Sequence, residues 1–271
     1  MQWTKCFAGK IGVCAVLCLG LVAVGSCSKK ESAGPGTPPA KPKADTSQTK
    51  TQSQAKTQGQ TQAKVGAPAG AGELVPLPLT LPKPMFVGTP TNFAGVTDIE
   101  PPLGKDRPPF LAPKGVTNVA LGKPVKSSAG DPIIGQLSMI TDGNKEATDS
   151  SLVELDPFLQ HVTVDLGQPC EIYAVLVWHY HKQSRVYFDV VAQVADDADF
   201  INNVRTLFNN DKDNSSGLGV GTDRNYVDTA EGKLIDAKGV KARYVRLYSK
   251  GNNSNDQNHY LEVEVYGRPV P

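Results

Sequence analysis

Apolar and polar positions alternate in blocks confined to the second half of the chain. In His161-Val162-Thr163-Val164-Asp165-Leu166 the residues Val162, Val164 and Leu166 fall on one face of a strand, and Gly167 and Pro169 close that run. Ile172 to Trp178 is almost continuously apolar, as expected of a strand covered on both faces, and Val186 to Ala195 is another β-rich stretch. Ala242 to Tyr248 and Leu261 to Tyr266 alternate cleanly. Short strands, turn-rich spacers and the absence of an amphipathic helical pattern predict an all-β sandwich or barrel over residues 116–271. A domain of that size buries roughly 70% of its unfolded surface and supports one core without staples.

The first 115 residues follow other patterns. Lys5 and Lys10 precede an apolar stretch from Ile11 to Val24, shorter than the ~20 residues a membrane-spanning helix needs, which predicts a secretory signal over residues 1–26. The following Val24-Gly25-Ser26-Cys27 resembles a bacterial lipobox, with valine where leucine is commoner, and implies that Cys27 is acylated. The expected location is an exported, lipid-anchored protein on the periplasmic or cell-surface face of a bacterial membrane, held through its N-terminal lipid. Residues 27–72 are Lys, Gln, Thr, Ser, Ala, Pro and Gly with a degenerate Thr-Gln repeat, too poor in apolar residues to repay ordering, and are expected to be a disordered tether. Residues 73–115 are proline-rich and apolar, including Leu77-Pro78-Leu79, Pro101-Pro102-Leu103 and Pro108-Pro109-Phe110. They are expected to be extended and to lie along the folded domain, with service as a ligand for another protein as the alternative.

Charge and cysteines narrow the partners. The 271 residues carry a formal net charge of +1, which gives no electrostatic case for nucleic acid. Cys6, Cys14 and Cys18 lie in the signal, so acylation of Cys27 would leave Cys170 alone, with no intrachain disulfide and the role of a small packed hydrophobe.

Five segments occur in the order of a known family: Asn118-Val119-Ala120-Leu121-Gly122-Lys123-Pro124-Val125, Ile140-Thr141-Asp142-Gly143-Asn144, Gln160 to Gly167, Ala242 to Leu247, and Glu262 to Gly267. Together they resemble a discoidin domain, also called coagulation factor V/VIII type C, over residues 116–268. The resemblance implies a galactose-binding-like jelly-roll β-sandwich. His161 stands where the family usually has tryptophan, and no tryptophan follows Asn144; Leu152 or Phe158 fills that space. Asp142-Gly143-Asn144 resembles the family's calcium loop and Glu262 matches its C-terminal glutamate. This implies a structural calcium with Asp142, Asn144, Thr148 or Asp149, and Glu262 as oxygen donors. The other reading is an Asx turn beside an exposed glutamate.

Other constellations are weaker. Asp211 to Gly217 superficially resembles an EF-hand opening, but the glycine is one place late and Thr222 replaces the terminal glutamate, so it reads as a polar loop. His179-Tyr180-His181 places two imidazoles on one strand face, with His161, Asp189 or His259 as a third metal ligand, although a structural role is the commoner one for such a pair. No nucleophile elbow, Walker loop, His-Glu-x-x-His or cysteine-histidine signature is present, and the chain reads as a binding protein rather than an enzyme.

Sugar sites combine an aromatic platform with planar hydrogen-bonding groups. The densest supply is Trp178, His179, His181, Arg185 and Tyr187, with Asn209, Asn210, Asp211, Asn252, Asn258 and His259 from two loops. In the competing reading Trp178 and Tyr187 belong to the core and the asparagines only shape turns. The expected function is recognition of a glycan or cell-envelope polymer. A structural protein–protein module in an envelope complex is the alternative, and a metal-dependent enzyme the third reading.

Overall fold

The structure, a computed structural model, describes residues 73–271. The signal, Cys27 and the Thr-Gln tether lie outside the described residues.

The expected all-β sandwich forms from eleven strands among the described residues: β1 (Leu74–Pro76), β2 (Leu111–Pro113), β3 (Thr117–Asn118), β4 (Val125–Ser127), β5 (Val153–Leu155), β6 (Leu159–Trp178), β7 (Val191–Ala195), β8 (Arg205–Asn209), β9 (Lys233–Lys250), β10 (Asn258–Tyr260) and β11 (Glu262–Pro269). One sheet has the order β3-β11-β6-β9-β7-β8, with β4 also pairing β6; β1 pairs β2, and β10 pairs β5, each antiparallel.

The two strands expected around Gly167 and Pro169 are one long strand, β6. Gly167 adopts φ +85°, a conformation glycine takes without strain, and the pairing with β9 breaks between Asp165 and Cys170 and resumes. The first half of β6 pairs with β4 and the end of β9, and the second half with β11 and the start of β9. One ribbon therefore serves both ends of the sandwich.

Val162, Val164, Leu166, Ile172, Val175 and Val177 enter the main core with Val245, Leu247, Val263 and Val265. Ile172 and Val175 both reach it, although three residues apart, because an irregularity between Ile172 and Ala174 shifts the alternation. Ala174, Leu176 and Trp178 pack on the opposite side in a second cluster with Leu261 and Tyr266. Covering that side explains the nearly continuous apolar run.

The cover comes from the proline-rich segment. Leu77, Ala112 and Val116 are buried in the second cluster, and Leu79 and Phe110 pack against it. Burying each large side chain there contributes roughly 1.5–3 kcal/mol. Polar contacts fasten the same strap: Arg107 donates to the carbonyls of Gly232 at 2.9 Å and Glu231 at 2.7 Å, Lys233 pairs with Glu100, and the Glu100 N–H donates to Asn225 O at 2.7 Å. The folded unit therefore reaches back to the start of the described residues, well before residue 116, because the outer face of β6 is too apolar to stand in water. Cys170 is buried, and burial pushes its thiol up.

Candidate ligand-binding site

Three loops meet at one end of the sandwich because short bridges tie them to one segment. Arg185 bridges Asp228 and Tyr187 bridges Asn252. The Asn210 N–H donates to Val190 O at 3.1 Å, and the Asn253 N–H to Val186 O at 3.0 Å. The short β5–β10 ladder sets Glu154 opposite His259 and Leu155 opposite Asn258. The residues expected to share an end thus do so, but their side chains mostly face inward.

Trp178 is fully buried, its Nε1–H donating to Ala230 O at 3.0 Å, so it is a core residue and offers no platform to a ligand. Tyr187 is likewise buried; its ring stacks on His179 with centroids 4.2 Å apart, and burial raises its phenol above the ordinary range. Among the described residues neither ring nitrogen of His179 has a partner, and burial, with His259 nearby, lowers its pKa to about 3. His181 is buried with Nε2 3.0 Å from Lys145 O. Placing Trp178, His179, His181 and Tyr187 directly on a ligand is therefore corrected: all four side chains are buried, Trp178 at the end of β6 and the other three in the segment that follows it.

The asparagines hold the loops. Asn209 Nδ2 donates to Gly219 O at 2.9 Å, and Asn210 Oδ1 accepts from the Val190 N–H at 2.7 Å. Asn252 Nδ2 donates to Asn255 Oδ1 and Gln257 O, and Asn258 Nδ2 to the carbonyls of Asp156 and Phe158. Asp211 is fully buried and accepts from the N–H groups of Asp213, Ser215 and Ser216. With these groups satisfied inside the protein, Asn209, Asn210, Asp211, Asn252 and Asn258 shape the site rather than line it.

Arg185 and His259 remain in a polar line that reaches the surface. His259 Nε2 lies 3.1 Å from Glu154 Oε2, while its Nδ1 lies 3.1 Å from Tyr187 Oη and 3.3 Å from an Arg185 nitrogen. Burial, and then Arg185, lowers the His259 pKa to about 4, so the ring is neutral near pH 7. The Arg185 guanidinium lies 5.1 Å from the Tyr180 ring centroid and 3.4 Å from Gln183 Oε1, and among the described residues its Nε has no partner. Glu154 is partly exposed and Gln183 exposed.

Phe158 completes this end. Its backbone is left-handed at φ +67°, which costs a bulky residue of order 1–3 kcal/mol, and its side chain is 69% exposed. The amide of Asn258, the residue before His259, anchors its carbonyl at 2.7 Å. Leu152, the other candidate for the missing tryptophan's space, is buried in the second cluster. Sequence reasoning missed Glu154 and Gln183, which stand in unremarkable Val-Glu-Leu and Lys-Gln-Ser contexts. At Phe158 the available signal was its candidacy for the space of the family's missing tryptophan.

At the expected calcium loop, the Gly143 N–H donates to Glu262 Oε2 at 3.0 Å. Glu262 is buried, its Oε1 without a partner among the described residues, and burial, with Glu264 and Asp142 adding repulsion, pushes its pKa up to about 9. An unpartnered buried carboxylate oxygen beside Asp142 fits a cation. Asn144 instead accepts from the Glu146 N–H, Thr148 bonds the hydroxyls of Ser150 and Ser151, and Asp149 takes Tyr180 and Lys182, so these three are turned to other partners. Among the described residues the one group of three ligand-type side chains with atoms within 4.8 Å is Asp189, Asp211 and Asp213; no histidine belongs to it. The His-x-His metal reading loses its third ligand accordingly.

No protein-family model matches the chain, and no curated protein matches it. Among solved structures it is similar to a family 89 glycoside hydrolase from Clostridium perfringens in complex with 2-acetamido-1,2-dideoxynojirmycin, at 18% identity and a TM-score of 0.42, covering 56% of this chain and 15% of the hydrolase. It is also similar to a CBM32 module of that organism in complex with GlcNAc-alpha-1,4-galactose, at 18% identity and a TM-score of 0.42, covering 57% of this chain and 96% of the module. A fucose binding module of Streptococcus pneumoniae is similar at 19% identity and a TM-score of 0.39, covering 55% of this chain and 97% of the module. The chain thus spans under a sixth of the hydrolase's length.

Proposed function

We propose that the protein is a glycan-binding module whose site is the loop end bearing Phe158, Glu154, Arg185, Gln183 and His259. The observation that carries this reading is the hydrogen-bonded line Glu154–His259–Arg185, together with an exposed phenylalanine in a strained backbone conformation on the loop whose carbonyl the neighbouring Asn258 anchors. A sugar presents hydroxyls in fixed directions and an apolar ring face. The surface carboxylate of Glu154 and the amide of Gln183 match the hydroxyls, with the buried Arg185 and His259 holding them in place, and an aromatic ring matches the face. Because neighbours fix the polar groups, little side-chain entropy is lost on binding.

In this reading Cys27 carries a lipid, residues 27–72 tether the domain to a bacterial membrane, and calcium, held by Glu262 and Asp142, is structural. Mass spectrometry of the protein purified from a bacterial host tests the anchor: an acylated Cys27 supports it and an intact N-terminus from Met1 contradicts it.

The experiment for the site is a glycan and envelope-polymer screen with the full chain, repeated with Phe158→Ala and Gln183→Ala. Both residues are exposed, so folding should survive. Selective binding lost in either variant supports the site; stoichiometric capture of a protein with no glycan bound favours the assembly-module reading.

A further inference from the structure

Ile133 and Ile134 are 53% and 42% exposed, and neither packs against either core cluster. They stand in the loop after β4, where it runs alongside β5. The N–H groups of Ile133, at 2.8 Å, and Ile134, at 3.4 Å, both donate to the carbonyl of Glu154, and the Glu154 N–H donates back to Ile134 O at 3.0 Å. Two residues thus oppose one, a β-bulge, which is a device that re-aims side chains beside a site. Ile134 and Glu154 are bridge partners, and antiparallel partners point to one side with β-carbons about 4.5–5.5 Å apart. Val153 and Leu155 enter the core, so Glu154, between them, faces away from it. His259 is the partner of Glu154 in the β5–β10 ladder. The row Ile134–Glu154–His259 therefore runs from an exposed aliphatic side chain to a buried ring.

That ring fixes one half of the carboxylate. Arginine can only donate, so His259 Nδ1 accepts from Arg185, and Nε2 carries the proton that it shares with Glu154 Oε2 at 3.1 Å. Among the described residues Glu154 Oε1 has no partner, and it is not shut away from solvent. At the far end of the line, Gln183 gives its Oε1 to Arg185 at 3.4 Å, which leaves its amide nitrogen to the surface as a donor. The site thus offers a held acceptor with an aliphatic side chain alongside, and an amide donor beyond Arg185. Asp131 and Asp156, two residues from Ile133 and Glu154 in sequence, are exposed and add negative charge, which disfavours an acidic sugar.

We propose that the Ile133–Ile134 bulge sets the specificity of the loop end, selecting a 2-acetamido sugar whose amide N–H meets Glu154 Oε1 and whose methyl rests on Ile134. A secondary amide is planar and trans, so its N–H and its methyl leave on one edge and its carbonyl on the other. An acceptor and an aliphatic side chain side by side match the first edge, and the Gln183 amide is a donor for the carbonyl. A free amine would suit the carboxylate but leave the isoleucine in water, and a hydroxyl has no methyl to offer. The inference rests on the reading of the loop end as the glycan site.

The test titrates the full chain, followed by nuclear magnetic resonance, with N-acetylglucosamine and N-acetylgalactosamine, with glucose and galactose, and with glucosamine. At least one acetamido sugar should bind about tenfold more tightly than its parent hexose, the contrast expected when one small apolar group finds a fitted contact. Ile134→Ala should remove most of that preference while leaving the affinity for the hexose unchanged. Ile134→Thr, which keeps the branched shape, carries the test if Ile134→Ala lowers the melting temperature. Equal binding of acetamido sugar and hexose, tighter binding of glucosamine, or a preference that survives both substitutions overturns the inference while the glycan reading stands. No binding of any of these sugars also overturns the inference, and an empty glycan screen overturns the reading beneath it.

Discussion

Gly232 lies flat against the indole of Trp178: a β-carbon built on Gly232 would stand 2.6 Å from Cε2 of that ring. Gly232 also has φ +63°, and its carbonyl accepts from Arg107 of the strap. A side chain here would disturb the turn, the ring and the strap together. Gly232→Ala is expected to cost about 1–3 kcal/mol, read as a lower urea midpoint. An unchanged midpoint would mean that the indole has room to move.

The strap is expected to be part of the cooperative unit. Leu77→Ala should lower stability by about 2–3 kcal/mol, toward the low end for a buried leucine because it sits at the edge of its cluster. A chain beginning at residue 116 should melt at a lower temperature than one beginning at residue 73 and bind an apolar dye through the uncovered face around Leu176. Identical melting of the two chains would show that the strap contributes nothing.

Much of this architecture was legible from periodicity. The face of Val162, Val164 and Leu166, the doubly covered run Ile172 to Trp178, and the alternation at Val245 and Val263 all report burial directly, because one residue in two must be apolar where one face is covered. The join of two expected strands into β6 was not legible: glycine and proline usually stop a strand, and here the ribbon bends through them because its partner β9 resumes pairing beyond. At the site, residue type misled. Trp178, at the covered end of β6, and Tyr187, in the segment after it, have sugar-binding chemistry but are buried, and the asparagines spend their amides on the backbone and on one another. Which way a polar side chain faces depends on partners far away in sequence, as Glu154 and His259 illustrate.

All four histidines are held below their ordinary range in the folded state: His161 and His259 to about 4 and His179 to about 3, each first by burial, with His181 also lowered by burial. The unfolded chain therefore binds more protons as pH falls below about 6.5, and stability should decline from there toward pH 3–4. Denaturant midpoints measured across this range check the slope. His179→Phe should make it shallower, since neither imidazole nitrogen has a partner among the described residues and the stack on Tyr187 is retained. A wild-type midpoint that is flat between pH 6.5 and 4 would contradict the burial of these rings.

Glu262 acts in the opposite direction. Its folded-state pKa, pushed up to about 9, means that stability present below pH 4.5 is lost as pH rises toward 9 in calcium-free protein. Glu262→Gln, which keeps an acceptor for the Gly143 N–H, is expected to raise the melting temperature at pH 7–8 in chelator. Calcium should then raise that of the wild type only, by binding the native state. A calcium shift of equal size in both proteins would remove Glu262 from the ion.

Calorimetric titration of the full chain with the glycan selected by the screen, comparing wild type, Phe158→Ala and Glu154→Gln, tests the loop-end site most directly. Tenfold or greater weakening in both variants, with melting temperatures within a few degrees of the wild type, is the predicted result. Wild-type affinity in both variants would contradict it.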